Sequence, residues 1–417
     1  MLDAPASGAR AVARCDLLGA KPYSDADDML FRPYLGPAHA AACARLSDWM
    51  EEAGMRVRRD AIGNLIGRYE GTRLEAPALV IGSHIDTVRD GGRYDGALGV
   101  MLGIECVALL REEGRRLPFP VEVVAFGDEE GSRFATPMLC SRAFAGSFSS
   151  DMLALADRDG VSLEAALKEN GLHSAWLCTA RHQPREILAY LEAHIEQGPV
   201  LESEDLAVGT VTGIAAQMRY RIGMTGKAGH AGTTVMGLRR DALAAAAEAI
   251  LAVERIGSLG APDLVATVGT LVVSPGAVNV IPGRAEFSLD IRAGLAETRD
   301  QAASRILTAL ADIAERRQVA LSVECVQELP SSPSDPELIA LMDAAIAKQG
   351  LLPRQLVSGA GHDAMVLSAL CPTIMLFIRC AGGLSHHPME SVDPADADVA
   401  LRVMRRFLDE LEESYHA

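Results

Sequence analysis

Histidine is scarce in this chain, with 10 among 417 residues, and several stand beside acids and glycines in a way that suits metal binding. Gly82-Ser83-His84-Ile85-Asp86-Thr87-Val88 follows the apolar run Ala78 to Ile81. A histidine at the end of such a run is expected to point its imidazole into a loop crevice. Asp86, two residues further along an extended chain, faces the same side and is expected to accept the other ring N–H, which fixes the tautomer and raises ligand basicity. Asp95 comes after Gly91-Gly92 and just before a helical pattern, where one carboxylate can bridge two cations. Asp128-Glu129-Glu130 stands directly after the run Val121 to Phe126. Three consecutive acids at the end of a buried strand are costly unless something positive sits there. His194 in HIEQG and the pair His386-His387 in GGLSHHP add imidazoles flanked by glycine. Each stretch alone reads as a surface loop. Together they offer imidazole and carboxylate donors without thiolate, a set that suits Zn²⁺, Mn²⁺, Co²⁺ or Ni²⁺.

The elements around these residues explain how they can meet. Apolar residues at helical spacing from Gly36 to Gly54 predict a helix, and Met55 to Arg59 and Asn64 to Tyr69 predict short extended segments. Ala78 to Ile81 is a continuous apolar run, the pattern of a strand buried on both faces, and Val121 to Phe126 reads as another buried strand, with a helix predicted from Gly96 to Glu113 between them. Strand, loop, helix and strand in this order predict an α/β sheet whose carboxyl-end loops carry the chemistry. Past Gly209 the pattern changes. Strands are predicted over Met218 to Thr225, Leu264 to Val273, Arg284 to Ala293 and Val319 to Val326, with helices over Arg239 to Ile256 and Glu297 to Arg317. This is an α+β arrangement inserted into the first domain. The Pro/Ser-rich stretch Glu328 to Pro336 reads as the return linker. Helices near Leu338 to Lys348 and Asp363 to Leu370, and the strand Thr373 to Phe377, then complete the first domain.

Composition narrows the function classes. At ~150 residues per domain the length allows two or three domains. Lys+Arg 39 against Asp+Glu 56 gives a net charge of −17, which repels phosphate backbones and anionic lipid, so neither nucleic acid nor a membrane surface is an expected partner. No apolar run approaches the ~18 residues of a membrane span. The N-terminal stretch around Asp3 and Asp16 lacks an apolar signal core, and a cytoplasmic location is expected. The eight cysteines show no C-x-x-C pair and read as small buried hydrophobes.

Taken together and in order, GSHIDTV, GGRYDG, DEEGSRF, HIEQGPVLE, GHAGTT, SGAGHDAM and GGLSHHP resemble the M20 metallopeptidase superfamily. Within it they resemble the hydantoinase/carbamoylase branch of allantoate amidohydrolases and N-carbamoyl-L-amino-acid hydrolases. The match runs from about Asp60 to Ser391, most of the chain. The resemblance implies a zinc-aminopeptidase-like α/β catalytic domain, with a mixed central sheet flanked by helices, over residues 1–211 and 330–417. It implies an inserted α+β sandwich over 212–329, a lid through which homodimers form. His84, Asp95, Glu130, His194 and His386 are implied as ligands of two divalent ions per subunit, Mn²⁺ or Zn²⁺ with Co²⁺ or Ni²⁺ as substitutes, Asp95 bridging. Glu129 is implied as general base. The family places its last ligand directly after the serine, which selects His386 over His387. His230 in GHAGTT is implied to reach the partner subunit's active site and stabilise the oxyanion.

Asn279 and Arg292 match positions that bind the substrate carboxylate, and Gln197 matches a contact to substrate or to water at the metals. Arg292 lies in a mostly apolar strand where an unpaired guanidinium is expensive, which a planar carboxylate would relieve. His362-Asp363 either caps a helix or belongs to a substrate loop. The reaction implied is hydrolysis of a ureido C–N bond. SGAGHDAM and the stretch after it look closer to allantoate amidohydrolases, which give ammonia, carbon dioxide and ureidoglycine in purine-ureide breakdown. An N-carbamoyl-L-amino-acid hydrolase or β-ureidopropionase is the alternative, and an M20 peptidase or aminoacylase comes third. A non-catalytic sensor on this fold would be expected to lack the base or a ligand, and none is missing. Val235 stands where proline is common after GHAGTT, Met389 where a small residue is common, and His387 adds an extra imidazole.

Overall fold

The runs Ala78–His84, Val121–Phe126, Ile187–Ile195 and Thr373–Ile378 are buried along their length apart from Leu188. They lie side by side as parallel strands because such runs have no face to offer water. A computed structural model describes residues 5–415; Asp3 in the N-terminal stretch, and His416, lie outside the described residues. The strand order is Arg56–Arg59, Leu65–Tyr69, Val121–Phe126, Ala78–His84, Ile187–Ile195, Thr373–Ile378, Val208–Ile214. The first two strands and the last run antiparallel to their neighbours, so the sheet is mixed. His84 pairs in register with Phe126, and His194 with Phe377. Parallel register therefore brings every candidate loop to the carboxyl edge of the same four strands.

The helix Ala97–Glu112 packs against this sheet and is buried on almost every side. Glu105 lies within it, fully buried, and Arg10 and Arg14 answer its charge at 2.7 and 2.8 Å. Those arginines come from the helix Gly8–Leu18, which the sequence reading did not anticipate. The long helix Pro394–Ser414 was not anticipated either. Asp393 caps it by accepting from Ala395 N–H at 2.9 Å, and Ala397, Ala400, Leu401, Met404, Phe407, Leu408 and Leu411 form its buried stripe.

The described chain divides into two units. One takes in the residues up to Thr212 with Ser334–Leu356 and those from Ala360 onward; the other is Gly213–Pro333 with Val357–Gly359. The second unit is an antiparallel sheet ordered Leu271–Ser274, Arg284–Ala293, Ala216–Thr225, Ala320–Leu329. Val265–Thr267 also pairs with Arg284–Ala293. Residues of Arg284–Ala293 alternate in burial, and its inward side (Phe287, Leu289, Ile291) packs beneath the helices Ala242–Ser258 and Ala296–Arg317.

Several expected boundaries shift. The strand expected over Leu264 to Val273 is two pieces, because Gly269 interrupts the run and the pieces pair with different parts of Arg284–Ala293. The strand Ala320–Leu329 runs into the stretch read as a linker, where Arg299 donates to Leu329 O at 2.7 Å and pairs with Glu328 at 3.0 Å. The helix after His362 is short, Asp363–Leu367. Cys178 and Cys325 are exposed, unlike the other six cysteines. Among the described residues no helix is long and apolar enough to cross a membrane.

His39 gives the first unit a built-in acid sensitivity. It is fully buried, edge-on to Tyr34 at 5.5 Å between ring centres, and its Nε2 has no hydrogen-bond partner. Burial, and then the positive charges of Arg59, Arg32 and Arg133, push it down to about 3. The unfolded chain binds this proton near pH ~6.5, so the group's contribution to stability is complete above that pH and declines as pH falls through it toward 3. At pH 5 the expected loss is roughly 2 kcal/mol. Urea unfolding of His39→Leu at pH 7.5 and pH 5 should show a pH-dependent loss smaller than wild type by about that amount. An unchanged difference would mean that His39 is protonated in the folded chain.

Candidate metal centre

The five expected ligands come together, with Asp95 shared between two groups of the others. His84 closes its strand and His194 is the last but one residue of Ile187–Ile195, so both rings project from the same sheet edge. Asp95 Oδ1 lies 3.5 Å from His84 Nε2 and 3.1 Å from His194 Nε2. Asp95 Oδ2 lies 3.1 Å from His386 Nε2, which is also 3.3 Å from Glu130 Oε1. Two donor sets result, His84/Asp95/His194 and Asp95/Glu130/His386, each with one ligand atom per residue within 4.8 Å of the others. Glu129 and Glu130 form a third such set with His84. Gly96 makes the approach possible: its φ is +64°, and a Cβ there would fall 2.4 Å from His84 Nε2.

The donor chemistry fits divalent cations. His84 Nδ1 lies 3.1 Å from Asp86 O, and His194 Nδ1 lies 3.0 Å from Ile195 O. Each ring's N–H is thereby directed to a carbonyl, which leaves a lone pair on each Nε2. Those lone pairs face one carboxylate oxygen and lie 3.5 Å from each other, a repulsive arrangement unless protons or cations intervene. The basicities show the same demand. Burial presses His84 down, yet hydrogen bonds to Asp86 and Asp95 hold it well above its ordinary value. Burial likewise opposes His194, and Asp95 raises it. Asp95 and Glu130 lift His386 to about 10. Burial favours the protonated form of Asp95, but His194, His386 and His84 hold it well below the carboxylate range. Nitrogen and oxygen donors converging on one shared carboxylate fit a dinuclear metal centre, and two divalent cations would replace the protons these groups otherwise hold.

Asp86 has a second task beside the one expected. The ring N–H of His84 goes to the Asp86 backbone carbonyl, with the carboxylate further away at 3.5 Å. The carboxylate also accepts Glu129 N–H at 3.0 Å and Glu130 N–H at 3.2 Å, and so sets the turn that presents both glutamates. Glu129 is buried beside His84 and Glu130. Burial pushes its carboxyl well above the usual range, with His84 opposing and Glu130 adding to the rise. Gln197 turns its amide nitrogen inward, 3.1 Å from Asp95 Oδ2 and 3.1 Å from Ser385 Oγ.

Behind the ligands lies a layer of three buried acids: Glu192, outside every motif named above, and Asp128 and Asp363, which stand within two of them. Glu192, two residues before His194 and so on the same strand face, accepts Ser83 Oγ–H at 3.1 Å and Ala364 N–H at 3.0 Å. Asp128 and Asp363 are fully buried with both carboxylate oxygens unpartnered. Burial, and then Glu192, raise Asp363 to about 8; burial, then Asp86, raise Asp128 well above its usual range. His362 supplies no side-chain cap to the helix that follows, which removes the capping role for that residue. It packs edge-on against His194 at 4.4 Å between ring centres. The alternation of Glu192 with His194 was a usable signal; the others depend on tertiary contact.

The remaining expected residues belong to the second unit. Gly229–His230 pairs with Val280–Ile281, and Ala231 N–H donates to Asn279 O at 2.9 Å, so His230 and Asn279 are exposed neighbours. Arg292 is not the unpaired guanidinium its strand suggested. Its Nε and Nη2 grip Asp290 at 2.9 and 3.0 Å, and Nη1 donates to Gly359 O. Asp290 also receives Arg219 at 2.7 Å and Gln217 at 2.8 Å, so two arginines share one carboxylate.

Comparison with known proteins agrees with this centre. The chain is 43% identical to the N-carbamoyl-L-amino acid amidohydrolase of Geobacillus stearothermophilus, over 86% of this chain and 88% of that one. It is 38% identical to the allantoate deiminase of Arabidopsis thaliana, over 96% and 81% of the two chains. Its fold superimposes on a hydantoinase/carbamoylase family amidase from Burkholderia multivorans with a TM-score of 0.90 at 34% identity, covering 97% of this chain and 98% of that one. Residues 80–410 match the model of peptidase family M20/M25/M40, and the chain belongs to that family.

Proposed function

We propose that this chain is a metal-dependent amidohydrolase that cleaves a ureido C–N bond, with allantoate as its substrate. Water and allantoate then give ureidoglycine, ammonia and carbon dioxide. The observation that carries this reading is Asp95, reached by three imidazoles and flanked by Glu129 and Glu130. Relatives named for allantoate and for N-carbamoyl-L-amino acids support the bond type. The 43% identity to the Geobacillus stearothermophilus enzyme favours a second reading, hydrolysis of an N-carbamoyl-L-amino acid with the same centre.

His84, Asp95, Glu130, His194 and His386 would hold two divalent ions, which when bound would supply Lewis acidity and lower the pKa of a nearby water. Mn²⁺ or Zn²⁺ is the proposed pair, and Co²⁺ or Ni²⁺ suits the same donors. Glu129 takes the proton of the attacking water and passes it to the leaving nitrogen, a task for which a raised carboxyl pKa is suited. His230 donates to the developing oxyanion of a second copy's site, so the functional form is a homodimer built through the second unit. Asn279 and Arg292 hold the substrate carboxylate, with Asp290 fixing the plane of the arginine fork. Gln197 orients Asp95 and reaches the substrate side of the centre. We assign the reaction to the cytoplasm, on a small soluble substrate; the net charge of −17 supports a chain without a nucleic-acid or membrane partner.

Ammonia release by metal-stripped protein reloaded with Mn²⁺ should be fastest with allantoate, against N-carbamoyl-L-amino acids, N-carbamoyl-β-alanine and a dipeptide. A preference for a carbamoyl amino acid would transfer the same residues to the second reading, and dipeptide cleavage alone would end both. Glu129→Gln should keep its metal while turnover falls by about 10²–10⁴-fold. Survival of activity in that variant would remove Glu129 as the base. Inactive His230→Ala and inactive Glu129→Gln chains, mixed and reassembled, should regain part of the activity in heterodimers. A mixture that stays silent argues against a shared site.

A further inference from the structure

His84 and His194 are held by strand register and by carbonyls at Nδ1, whereas His386 has neither support. It sits on a loop at φ +55°, its side chain is 49% exposed, and among the described residues its Nδ1 makes no hydrogen bond. What ties that loop to Asp95 is a carboxylate four residues further along. Glu390 is buried, and its Oε1 accepts both Tyr94 N–H at 2.8 Å and Asp95 N–H at 3.1 Å. Its Oε2 lies 3.2 Å from Ser385 Oγ, which also reaches Asp95 Oδ2 at 2.9 Å. Glu390 N–H closes a turn onto His387 O at 3.0 Å, so the carboxylate and the backbone of one residue fix both sides of His386. The chain makes room for this contact at Gly92, where a Cβ would fall 2.0 Å from the Glu390 carboxyl carbon.

We propose that Glu390 is a positioning residue that sets the distance between Asp95 and His386, and thereby controls the cation held by Asp95, Glu130 and His386. The inference rests on the two-cation reading of the centre. It separates the two donor sets: without Glu390, His84 and His194 keep their strand-borne positions and Asp95 keeps its backbone bond to Ala97 N–H at 2.6 Å and its contact with Gln197, whereas the loop of His386 loses its tie. A glutamine in its place preserves the link, because its amide oxygen accepts the two backbone N–H groups and its nitrogen donates to Ser385 Oγ. Alanine leaves two buried N–H groups unpaired and the loop untied.

The test is metal stoichiometry and affinity, measured by equilibrium dialysis of stripped protein against buffered Zn²⁺, with His386→Ala and His194→Ala marking the two sites. Glu390→Ala should retain one cation with near wild-type affinity and weaken the other by about 10–100-fold, matching the site that His386→Ala removes. Glu390→Gln should hold both within a few-fold of wild type. Ser385→Ala, which spares the backbone contacts, should weaken the same site to a smaller degree and serves as the readout should the alanine variant at 390 fail to fold. Equal weakening of both cations, weakening of the His194 site, or no weakening in Glu390→Ala or Ser385→Ala would overturn the proposal. Wild-type protein that binds fewer than two Zn²⁺ would instead overturn the two-cation reading, and this assignment with it.

Discussion

A single carboxylate, Asp95, meets three imidazole nitrogens, and the first unit is arranged around the cost of that meeting. A buried anion facing lone pairs is unfavourable by itself, so the arrangement persists only where the surroundings hold every group in place. Parallel register supplies two of the imidazoles, because His84 and His194 lie on strands that share an edge. Asp86 supplies the turn of Glu129 and Glu130 by accepting both of their backbone N–H groups. Asp128 and Asp363, pushed toward the neutral form by burial, add acids to the neighbourhood without adding equal negative charge.

The ligands were legible in the sequence because chemistry and secondary structure announce each other there. An apolar run that ends in His84, or in Asp128-Glu129-Glu130, can only be a buried strand delivering polar groups at its carboxyl end. The residues that hold the ligands were less legible. Glu390 contacts Tyr94 and Asp95, nearly three hundred positions earlier in the chain, and no local pattern marks that contact. Arg292 shows a subtler limit. A guanidinium in that strand needs a carboxylate, and Asp290, two residues away on the same strand face, supplies one. The helix Gly8–Leu18 escaped notice because Arg10, Arg14 and Asp16 break its apolar pattern, and only burial of Glu105 explains two of those charges.

The second unit follows simpler rules. One face of its antiparallel sheet is covered by two helices rich in alanine, whose small side chains let helix and sheet approach closely. The other face carries Gln217, Arg219, Asp290 and Arg292 in adjoining register. Alternation along Arg284–Ala293 therefore divides the strand, with the apolar core on one side and a network of paired charges on the other.

The first unit is discontinuous in sequence, and this has a consequence for synthesis. His84, Asp95, Glu130 and His194 all leave the ribosome before the second unit begins at Gly213, but the strand Thr373–Ile378, which pairs with the strand of His194, comes only after that unit ends. The nascent chain thus carries a half-built cluster with one open sheet edge while more than a hundred residues of another unit are made. Closing that edge and delivering His386 are late events, so a chain that ends after Ile195 and before Thr373 leaves that strand with one edge open and lacks His386.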